Sequence, residues 1–332
     1  MSTSERTAPA KSSSEGMSAH DGPVVLLAGG LSHERDVSLR SGRRSAEALR
    51  AVGVDVIVRD VDAHLLAALA ADRPRAVLPM LHGAPGEDGA IRDVLELLGL
   101  PYVGSRPEPC RLSFDKPVAK AVIARTGAAT PDSVALPHQT FRELGASAVM
   151  EAVVARLGLP LVVKPARGGS ALGVTVVREA AGLPEAMMAC FAYGETALVE
   201  RHVAGVELAV SVVEGPDGPR ALPAVEIVPD GGVYDYAARY TAGATEFFAP
   251  ARISAEVAQA CARLALNAHT AYGLRDLSRT DLIVDAEGLP WFLEVNVSPG
   301  MTETSLFPQA VLAAGEDLGT LLAGLVQRAV AR

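Results

Sequence analysis

Short apolar strands alternate with longer helical segments in the first third of this chain of 332 residues. Runs of β-branched residues predict strands at 24–27, 54–58 and 76–81, and apolar periodicity predicts helices at 37–52 and 89–98. A strand–helix–strand order is typical of βαβ units, which form a parallel sheet with ligand sites at the carboxyl ends of the strands. The sequence therefore predicts an α/β fold that begins with a parallel sheet unit.

The remaining chain predicts two further units. Asp115 is a plausible cap for a helix that ends near residue 125, and strands at 161–164 and 174–177 surround a glycine-rich turn, as in a small α+β domain. Later come strands at 207–213 and 224–228, a helix at 254–272, a hairpin of 278–284 with 291–296, and two final helices. We therefore predict a tail and three domains: 1–22, 23–112, 113–206 and 207–332.

Composition excludes several classes of protein. With 30 Lys and Arg against 39 Asp and Glu, the net charge of −9 argues against a broad surface for nucleic acid or anionic membrane. Residues 1–22 contain no Val, Ile, Leu or aromatic residue, so we expect a disordered tail and no signal peptide. No apolar run is long enough to span a membrane, and the three cysteines form no CxxC pair. We expect a cytoplasmic protein without disulfides or a zinc site.

The hairpin near residue 287 concentrates oxygen ligands on otherwise apolar strands. A turn centred between residues 286 and 287 would pair Arg279 with Glu294. Because side chains alternate along a strand, the face of Arg279 would also carry three oxygen ligands, Asp281, Glu294 and Asn296. Such a set suits Mg²⁺, although an ordinary solvated face with an Arg–Glu pair is the alternative. The rigid turn at 297–300, directly after the strand, favours the ligand site.

Three loops after strands are further candidate ligand sites. Lys164 ends an apolar strand before the glycines of 168–173, where backbone N–H groups would approach a phosphate closely. Glu34 lies in the loop 28–38, and His82 begins the loop 82–89. The plainer alternatives are an ordinary turn, a helix cap and a structural histidine. No GxxxxGK[ST] or GxGxxG motif is present to decide between them.

Eight segments together resemble one family, the ATP-grasp D-alanine–D-alanine ligases of bacterial cell-wall synthesis. They run in family order from residue 29 to residue 306: GGLSHERDVSL, LHGAPGEDG, SFDK, VVKPARGGSALGV, VERHVAGVE, YDYAARY, SRTDLIV and FLEVNVSPGMTETSL. Each segment alone is weak, but their joint occurrence is specific. The resemblance implies a three-domain ATP-grasp fold with an N-terminal Rossmann-like sheet unit.

The resemblance also implies a role for each matching residue. Catalysis would involve Glu34, Ser170, Tyr240 and Arg279. ATP would be bound by Lys116, Lys164, Gly169, Glu200, Val203, Glu207 and Arg239. The two D-alanine molecules would contact Glu34, His82, Arg279, Gly300, Ser305 and Leu306. Two Mg²⁺ ions, or Mn²⁺, would be held by Asp281, Glu294 and Asn296, in agreement with the hairpin argument.

The implied reaction is ATP-dependent ligation of two D-alanine molecules through D-alanyl phosphate, in a homodimer that supplies peptidoglycan precursors. Glycines 168, 169, 231 and 232 would be hinges of a closing lid. The chain departs from the family pattern at Gly168 and Ala171, where a carboxylate and a hydroxyl are common, and at Arg201 and Arg239, where lysine is common.

The sequence leaves three alternative hypotheses open. They are a ligase with D-lactate or another amino acid as acceptor, a non-catalytic ATP-grasp nucleotide sensor, and a duplicate ligase that resists a D-alanine-like inhibitor. The YDYAARY segment argues against D-lactate, and the complete metal set argues against the sensor.

Overall fold

The computed structural model describes residues 22–232, 234, 238, 239, 241 and 243–332. The predicted tail therefore lies outside the described residues except for Gly22, and so does Tyr240.

The N-terminal segment forms a three-stranded parallel sheet, as predicted. Its strands are β1 (Val24–Ala28), β2 (Val56–Asp60) and β3 (Ala76–Pro79), in the order β2-β1-β3. The helices of this segment are α1 (Arg35–Ala51), α2 (Leu65–Asp72), α3 (Ala84–Glu87) and α4 (Ala90–Leu97). Strand β1 is completely buried because helices cover a parallel sheet on both faces. The loops that carry Glu34 and His82 leave the carboxyl ends of β1 and β3.

The central segment contains a four-stranded antiparallel sheet in the order β4-β7-β5-β6. Its strands are β4 (Ser133–Pro137), β5 (Leu161–Pro165), β6 (Thr175–Val177) and β7 (Thr196–Arg201). Its helices are α5 (Pro107–Phe114), α6 (Lys116–Ala124), α7 (His138–Leu144), α8 (Ala146–Leu157) and α9 (Leu183–Phe191), with a 3₁₀ turn at Ala180–Gly182. The predicted cap is confirmed, since the Asp115 carboxylate accepts the N–H of Val118 at 3.2 Å.

The C-terminal segment forms the largest sheet, in the order β11-β10-β8-β12-β13 with β9 paired to β8. Its strands are β8 (Val206–Gly215), β9 (Gly218–Ala221), β10 (Val225–Pro229), β11 (Thr245–Phe248), β12 (Leu277–Val284) and β13 (Pro290–Asn296). Its helices are α10 (Ala255–Ala271), α11 (Leu306–Ala313) and α12 (Leu318–Val330). The predicted hairpin and the two final helices are therefore present.

The register of the β12–β13 hairpin corrects one prediction. Arg279 lies opposite Asn296, not Glu294, and Asp281 lies opposite Glu294. Next to the turn, Val284 lies opposite Pro290, which is one residue from the expected pairing, and a bulge between Asp281 and Leu282 shifts the pairing by another residue. Because the two shifts add up to two residues at the polar positions, these side chains keep their common face. The prediction that the four polar residues share one face is therefore confirmed.

The C-terminal helices complete the N-terminal core. Side chains of α12, including Leu322 and Val326, belong to the same buried cluster as Leu26 and Leu49. A Cβ on Gly319 would lie 2.2 Å from the carbonyl oxygen of Ala48, so this glycine permits the close approach of α12 to α1. The last segment of the chain is thus packed against the first.

No single helix of the described residues has the length and hydropathy needed to cross a membrane. Only α11 and α12 taken together pass that test, and they meet at a bend of 103°.

Candidate active site

Two adjoining cavities lie where the three sheets meet. The first lies beside the loops that follow β1, β3 and β13, and the second lies between β5, β7, β8 and β12. We call them the inner cavity and the outer cavity. They share a wall of six residues, Lys116, Gly168, Gly169, Tyr234, Arg239 and Glu294. A group bound in one cavity would therefore lie next to a group bound in the other.

The structure brings the predicted site residues together on these walls. The residues predicted for the amino-acid substrates all line the inner cavity: Glu34, His82, Arg279, Gly300, Ser305 and Leu306. Four residues predicted for ATP line only the outer cavity: Lys164, Glu200, Val203 and Glu207. Ser170 and Asn296 line the inner cavity, Asp281 lines the outer cavity, and Tyr240 lies outside the described residues.

A buried carboxylate bridges two lysines behind the outer cavity. The Lys164 ammonium lies 2.6 Å from one carboxylate oxygen of Glu200, on β7. The Lys120 ammonium lies 2.9 Å from the other oxygen. Burial alone would raise the pKa of Glu200, but the two lysines outweigh it and lower that pKa. Burial lowers the pKa of Lys164, but the attraction of Glu200 and Glu294 outweighs it and raises that pKa. Lys164 is therefore a permanent cation on the cavity wall.

Lys116 connects the glycine-rich loop with the hairpin. Its ammonium donates to the carbonyl oxygen of Gly168 at 2.6 Å and lies 3.1 Å from the Glu294 carboxylate. Burial opposes ionisation of Glu294, but the charges of Lys116 and Lys164 outweigh it and lower its pKa to about 2. Glu294 is therefore ionised at neutral pH, in the wall that the two cavities share.

Arg279 and Asp281 form a buried pair on the polar face of the hairpin. Two guanidinium nitrogens of Arg279 contact the two oxygens of Asp281, at 2.6 and 2.8 Å. Burial would lower the pKa of Arg279, but the attraction of the Asp281 carboxylate outweighs the effect of burial and raises that pKa. The fork of the guanidinium fixes its plane, as in other bidentate pairs. A fixed positive charge therefore lines the inner cavity.

The oxygen ligands of the hairpin fit a hard divalent cation. Asp281 and Glu294 are cross-strand neighbours, and Asn296 follows Glu294 on the same face. The Glu294 carboxylate contacts Lys116 and the Asp281 carboxylate contacts Arg279, which shows that this face favours positive charge. Carboxylate and amide oxygens are the donors that Mg²⁺ uses in proteins, with further positions left to water and phosphate.

The glycine-rich loop contacts Glu34 directly. The Ser170 hydroxyl donates a hydrogen bond to Glu34, and a Cβ on Gly169 would lie 3.1 Å from the Glu34 carboxylate. Ser170 and Ala171 both have positive φ, 52° and 56°, a conformation that is costly for residues other than glycine. The loop is thus strained where it crosses the inner cavity.

A second acid, Glu87, lies beside Glu34 and was not among the site residues predicted from the sequence. Burial raises the pKa of Glu87 to about 8, and the nearby charge of Glu34 adds to the shift. One Glu87 oxygen accepts the N–H of Gly83 at 3.1 Å. Burial also raises the pKa of Glu34, while Ser170, Arg239 and Lys116 oppose that shift. The inner cavity thus holds two acids that compete for ionisation.

His82 contacts protein atoms through both ring nitrogens. Nδ1 donates to the carbonyl oxygen of Ser298 at 3.1 Å, which leaves Nε2 to accept the Ser41 hydroxyl at 2.9 Å. Burial lowers the pKa of His82 to about 4, so the ring is neutral at pH 7. Ser41 also accepts the N–H of Met301 at 3.1 Å. His82 therefore holds the turn after β13 in place.

The turn after β13 forms the far wall of the inner cavity. Ser305 accepts the N–H of Thr302 at 2.9 Å, and a Cβ on Gly300 would lie 2.8 Å from the Ser305 hydroxyl. Only a glycine fits at position 300 without moving Ser305. The backbone near Gly300 is therefore open towards the cavity, while Leu306 adds an apolar surface.

The outer cavity combines a partly buried acid with two arginines. Burial raises the pKa of Glu207 to about 7, against the opposing charge of Arg239. The Arg239 guanidinium lies 4.2 Å from the ring centre of Tyr234. Arg201 lies 5.8 Å from the ring centre of Trp291, the only tryptophan of the chain.

Comparisons with known proteins agree with this site. A family model described as the D-ala D-ala ligase C-terminus matches residues 122–327. The D-alanine–D-alanine ligase of Anaeromyxobacter dehalogenans (strain 2CP-C) is 44% identical, over 89% of this chain and 92% of that protein. The ligase of Bordetella petrii is 41% identical, over 94% and 93% of the two chains.

Two solved structures are similar throughout. The first is the VanG D-Ala:D-Ser ligase of Enterococcus faecalis, with a TM-score of 0.79, 26% identity and coverage of 93% of this chain and 99% of that chain. The second is the Bacillus anthracis D-alanine–D-alanine ligase complexed with ATP, with a TM-score of 0.76, 26% identity and coverage of 93% of this chain and 97% of that chain. The relatives and the family model together show that this chain belongs to the D-alanine–D-alanine ligase family, with the ATP-grasp fold.

Proposed function

We propose that this protein joins two D-alanine molecules to D-alanyl-D-alanine, with conversion of ATP to ADP and phosphate, for peptidoglycan precursor synthesis. The observation that carries the proposal is the wall shared by the two cavities, where Lys116, Arg239 and Glu294 lie between the nucleotide side and the amino-acid side. Phosphoryl transfer from ATP to a carboxylate requires the two substrates to meet at such a wall.

In the first step, the carboxylate of one D-alanine attacks the γ-phosphorus of ATP, and ADP leaves. Lys116 and Lys164 neutralise charge on the phosphate oxygens, because positioning and charge stabilisation dominate phosphoryl transfer. Glu34 accepts a hydrogen bond from the ammonium group of this D-alanine and orients it. Asp281, Glu294 and Asn296 would hold Mg²⁺, which supplies charge neutralisation at the phosphates.

In the second step, the neutral amine of the other D-alanine attacks the carbonyl carbon of the acyl phosphate and forms the C–N bond. The C–O bond to phosphate breaks, and the departing phosphate takes up the proton that the amine loses. Arg279 and the backbone near Gly300 stabilise the oxyanion that develops on the carbonyl. Ser305 and Leu306 bind the second D-alanine. Ser170 keeps the glycine-rich loop on Glu34, so that water is excluded from the acyl phosphate.

The test is ADP release by the purified protein with Mg²⁺-ATP and D-alanine, combined with mass detection of the product. We expect a product with the mass of D-alanyl-D-alanine. Release of ADP only with L-alanine, or none with any acceptor, would contradict the proposal.

D-Serine is the second candidate acceptor, because the VanG D-Ala:D-Ser ligase is similar over almost the whole chain. The same assay with D-serine and D-lactate as acceptors distinguishes these ligases by product mass. A mixed product in excess over the D-alanine dipeptide would assign the chain to that acceptor.

The resemblance to the family supports three further proposals: two Mg²⁺ ions at the site, replaceable by Mn²⁺, a homodimer, and a cytoplasmic location. Metal titration of the activity, light scattering of the purified protein and cell fractionation test them separately.

A further inference from the structure

Lys120 is a buried cation that no step above uses. It follows Lys116 by one turn of α6, so the two side chains extend from the same face of the helix. Lys120 is only 4% exposed, and its ammonium lies 2.9 Å from Glu200. Among the described residues, Lys164 and Glu200 line the outer cavity, whereas Lys120 does not. Lys120 therefore reaches the nucleotide side only through Glu200.

Lys120 and Lys164 both form an ion pair with the Glu200 carboxylate. Each ammonium contacts a different oxygen of Glu200, and two ammonium groups against one carboxylate leave one net positive charge. Burial lowers the pKa of Lys120, and the attraction of Glu200 opposes that shift. The ion-pair cluster is largely buried, since the side chains of Lys120, Lys164 and Glu200 are 5%, 8% and 3% exposed. Charges interact strongly in such surroundings. The net positive charge therefore acts on whatever binds in the outer cavity.

We propose that Lys120 is a positioning residue for the nucleotide: it holds the far oxygen of Glu200, so that Lys164 remains available to the phosphates of ATP. This inference rests on the proposed function, which assigns ATP to the outer cavity. Without Lys120, the whole charge of Glu200 faces Lys164 alone. The carboxylate then neutralises that lysine, and the site loses its net positive charge.

The charge argument makes a prediction that a purely structural role would not. Lys120→Met should weaken ATP binding by roughly tenfold or more, because one partner of a buried ion pair is lost. The double variant Lys120→Met with Glu200→Gln restores one net positive charge on Lys164. Its ATP affinity is compared with that of Glu200→Gln alone, because Glu200 itself lines the outer cavity. Without the carboxylate, Lys120→Met should change ATP affinity by less than about threefold.

The experiment measures the ATP dissociation constant by calorimetry, with KM for ATP and for D-alanine from steady-state assays. Lys164→Met serves as the reference for the nucleotide site. Arg125→Met is the matched control, because it removes an exposed cation at the end of the same helix. We expect Lys120→Met to raise KM for ATP and to leave KM for D-alanine within about twofold. If Lys120→Met does not fold, Lys120→Gln keeps an N–H donor without the charge.

Two results would overturn the inference alone: unchanged ATP affinity in Lys120→Met while Lys164→Met binds ATP weakly, or an effect of Lys120→Met that is as large in the Glu200→Gln background as in the wild type. A wild-type protein that does not bind ATP, or a Lys164→Met variant with wild-type ATP affinity, would instead overturn the proposed nucleotide site.

Discussion

Arg279 and Asp281 lie two residues apart on one strand, and the guanidinium of Arg279 contacts both oxygens of the Asp281 carboxylate. The pair joins the proposed oxyanion site to the proposed metal face. Because the two side chains fix each other's orientation, a substitution of either residue affects both sites.

Arg279→Lys should lower kcat by roughly 10²–10³, because an ammonium keeps the charge but not the two fixed N–H donors. ATP affinity should change much less. Steady-state phosphate release and ATP calorimetry measure the two effects. Arg220→Lys is the control, since it changes an exposed arginine that pairs with Glu316. A kcat within twofold of wild type would exclude the oxyanion role of Arg279.

Ser170→Ala should increase the phosphate released per dipeptide formed. The variant loses the hydrogen bond to Glu34, so the glycine-rich loop closes less well and water reaches the acyl phosphate. Parallel measurement of phosphate and dipeptide gives the ratio. Ser147→Ala is a matched control, because Ser147 also pairs with a glutamate, Glu151, but in an exposed position. A ratio that stays at one in Ser170→Ala would contradict a sealing role.

Glu87→Gln should stabilise the protein more at pH 9 than at pH 5. The pKa of Glu87 is raised from 4.5 to about 8, so the folded state binds the proton more tightly. The contribution of the Glu87 carboxyl to the stability of the wild-type protein is therefore fully present below pH 4.5 and is lost as the pH rises through 8. Because the amide cannot ionise, the free energy of unfolding of Glu87→Gln relative to the wild type should rise by roughly 1–3 kcal/mol between pH 5 and pH 9.

Denaturant unfolding at several pH values measures the free energy of unfolding of Glu87→Gln. Glu143→Gln, an exposed change on α7, is its control. A stability difference that is the same at pH 5 and pH 9 would show that Glu87 does not carry the raised pKa.

Ser41→Ala should destabilise the protein by about 1–3 kcal/mol and raise KM for D-alanine. The change leaves His82 Nε2 and the N–H of Met301 without their partner inside the protein. Ser45→Ala is the matched control. Ser45 lies one turn later on α1, is equally buried, and its hydroxyl has no hydrogen-bond partner within the part of the chain that the structure describes. Equal effects of the two variants would exclude the His82 network as the cause.

Local patterns explain which parts of the fold could be predicted. The Asp115 cap, the helix that ends at Ala271 and the parallel β1–β3 sheet depend on neighbouring residues, and all were predictable. The hairpin shows the limit of such patterns. Alternation fixed the common face of Asp281 and Glu294, but no local signal announced the bulge that sets their pairing.

The site was predictable as a set of residues but not as a network. Family-like segments identified Lys164 and Glu200 separately, and only the fold shows that they form one ion pair. Lys120 was missed because its partner lies 80 residues away in the sequence. Its environment depends on how the fold brings α6 next to Glu200 on β7, for which a single sequence contains no pattern.

The position of Trp291 gives the protein a built-in optical probe. As the only tryptophan, it is the source of all indole fluorescence, and the Arg201 guanidinium lies near its ring. Arg201 also lines the outer cavity. A ligand that draws Arg201 away would change the emission of Trp291, so nucleotide occupancy could be followed in real time without any label.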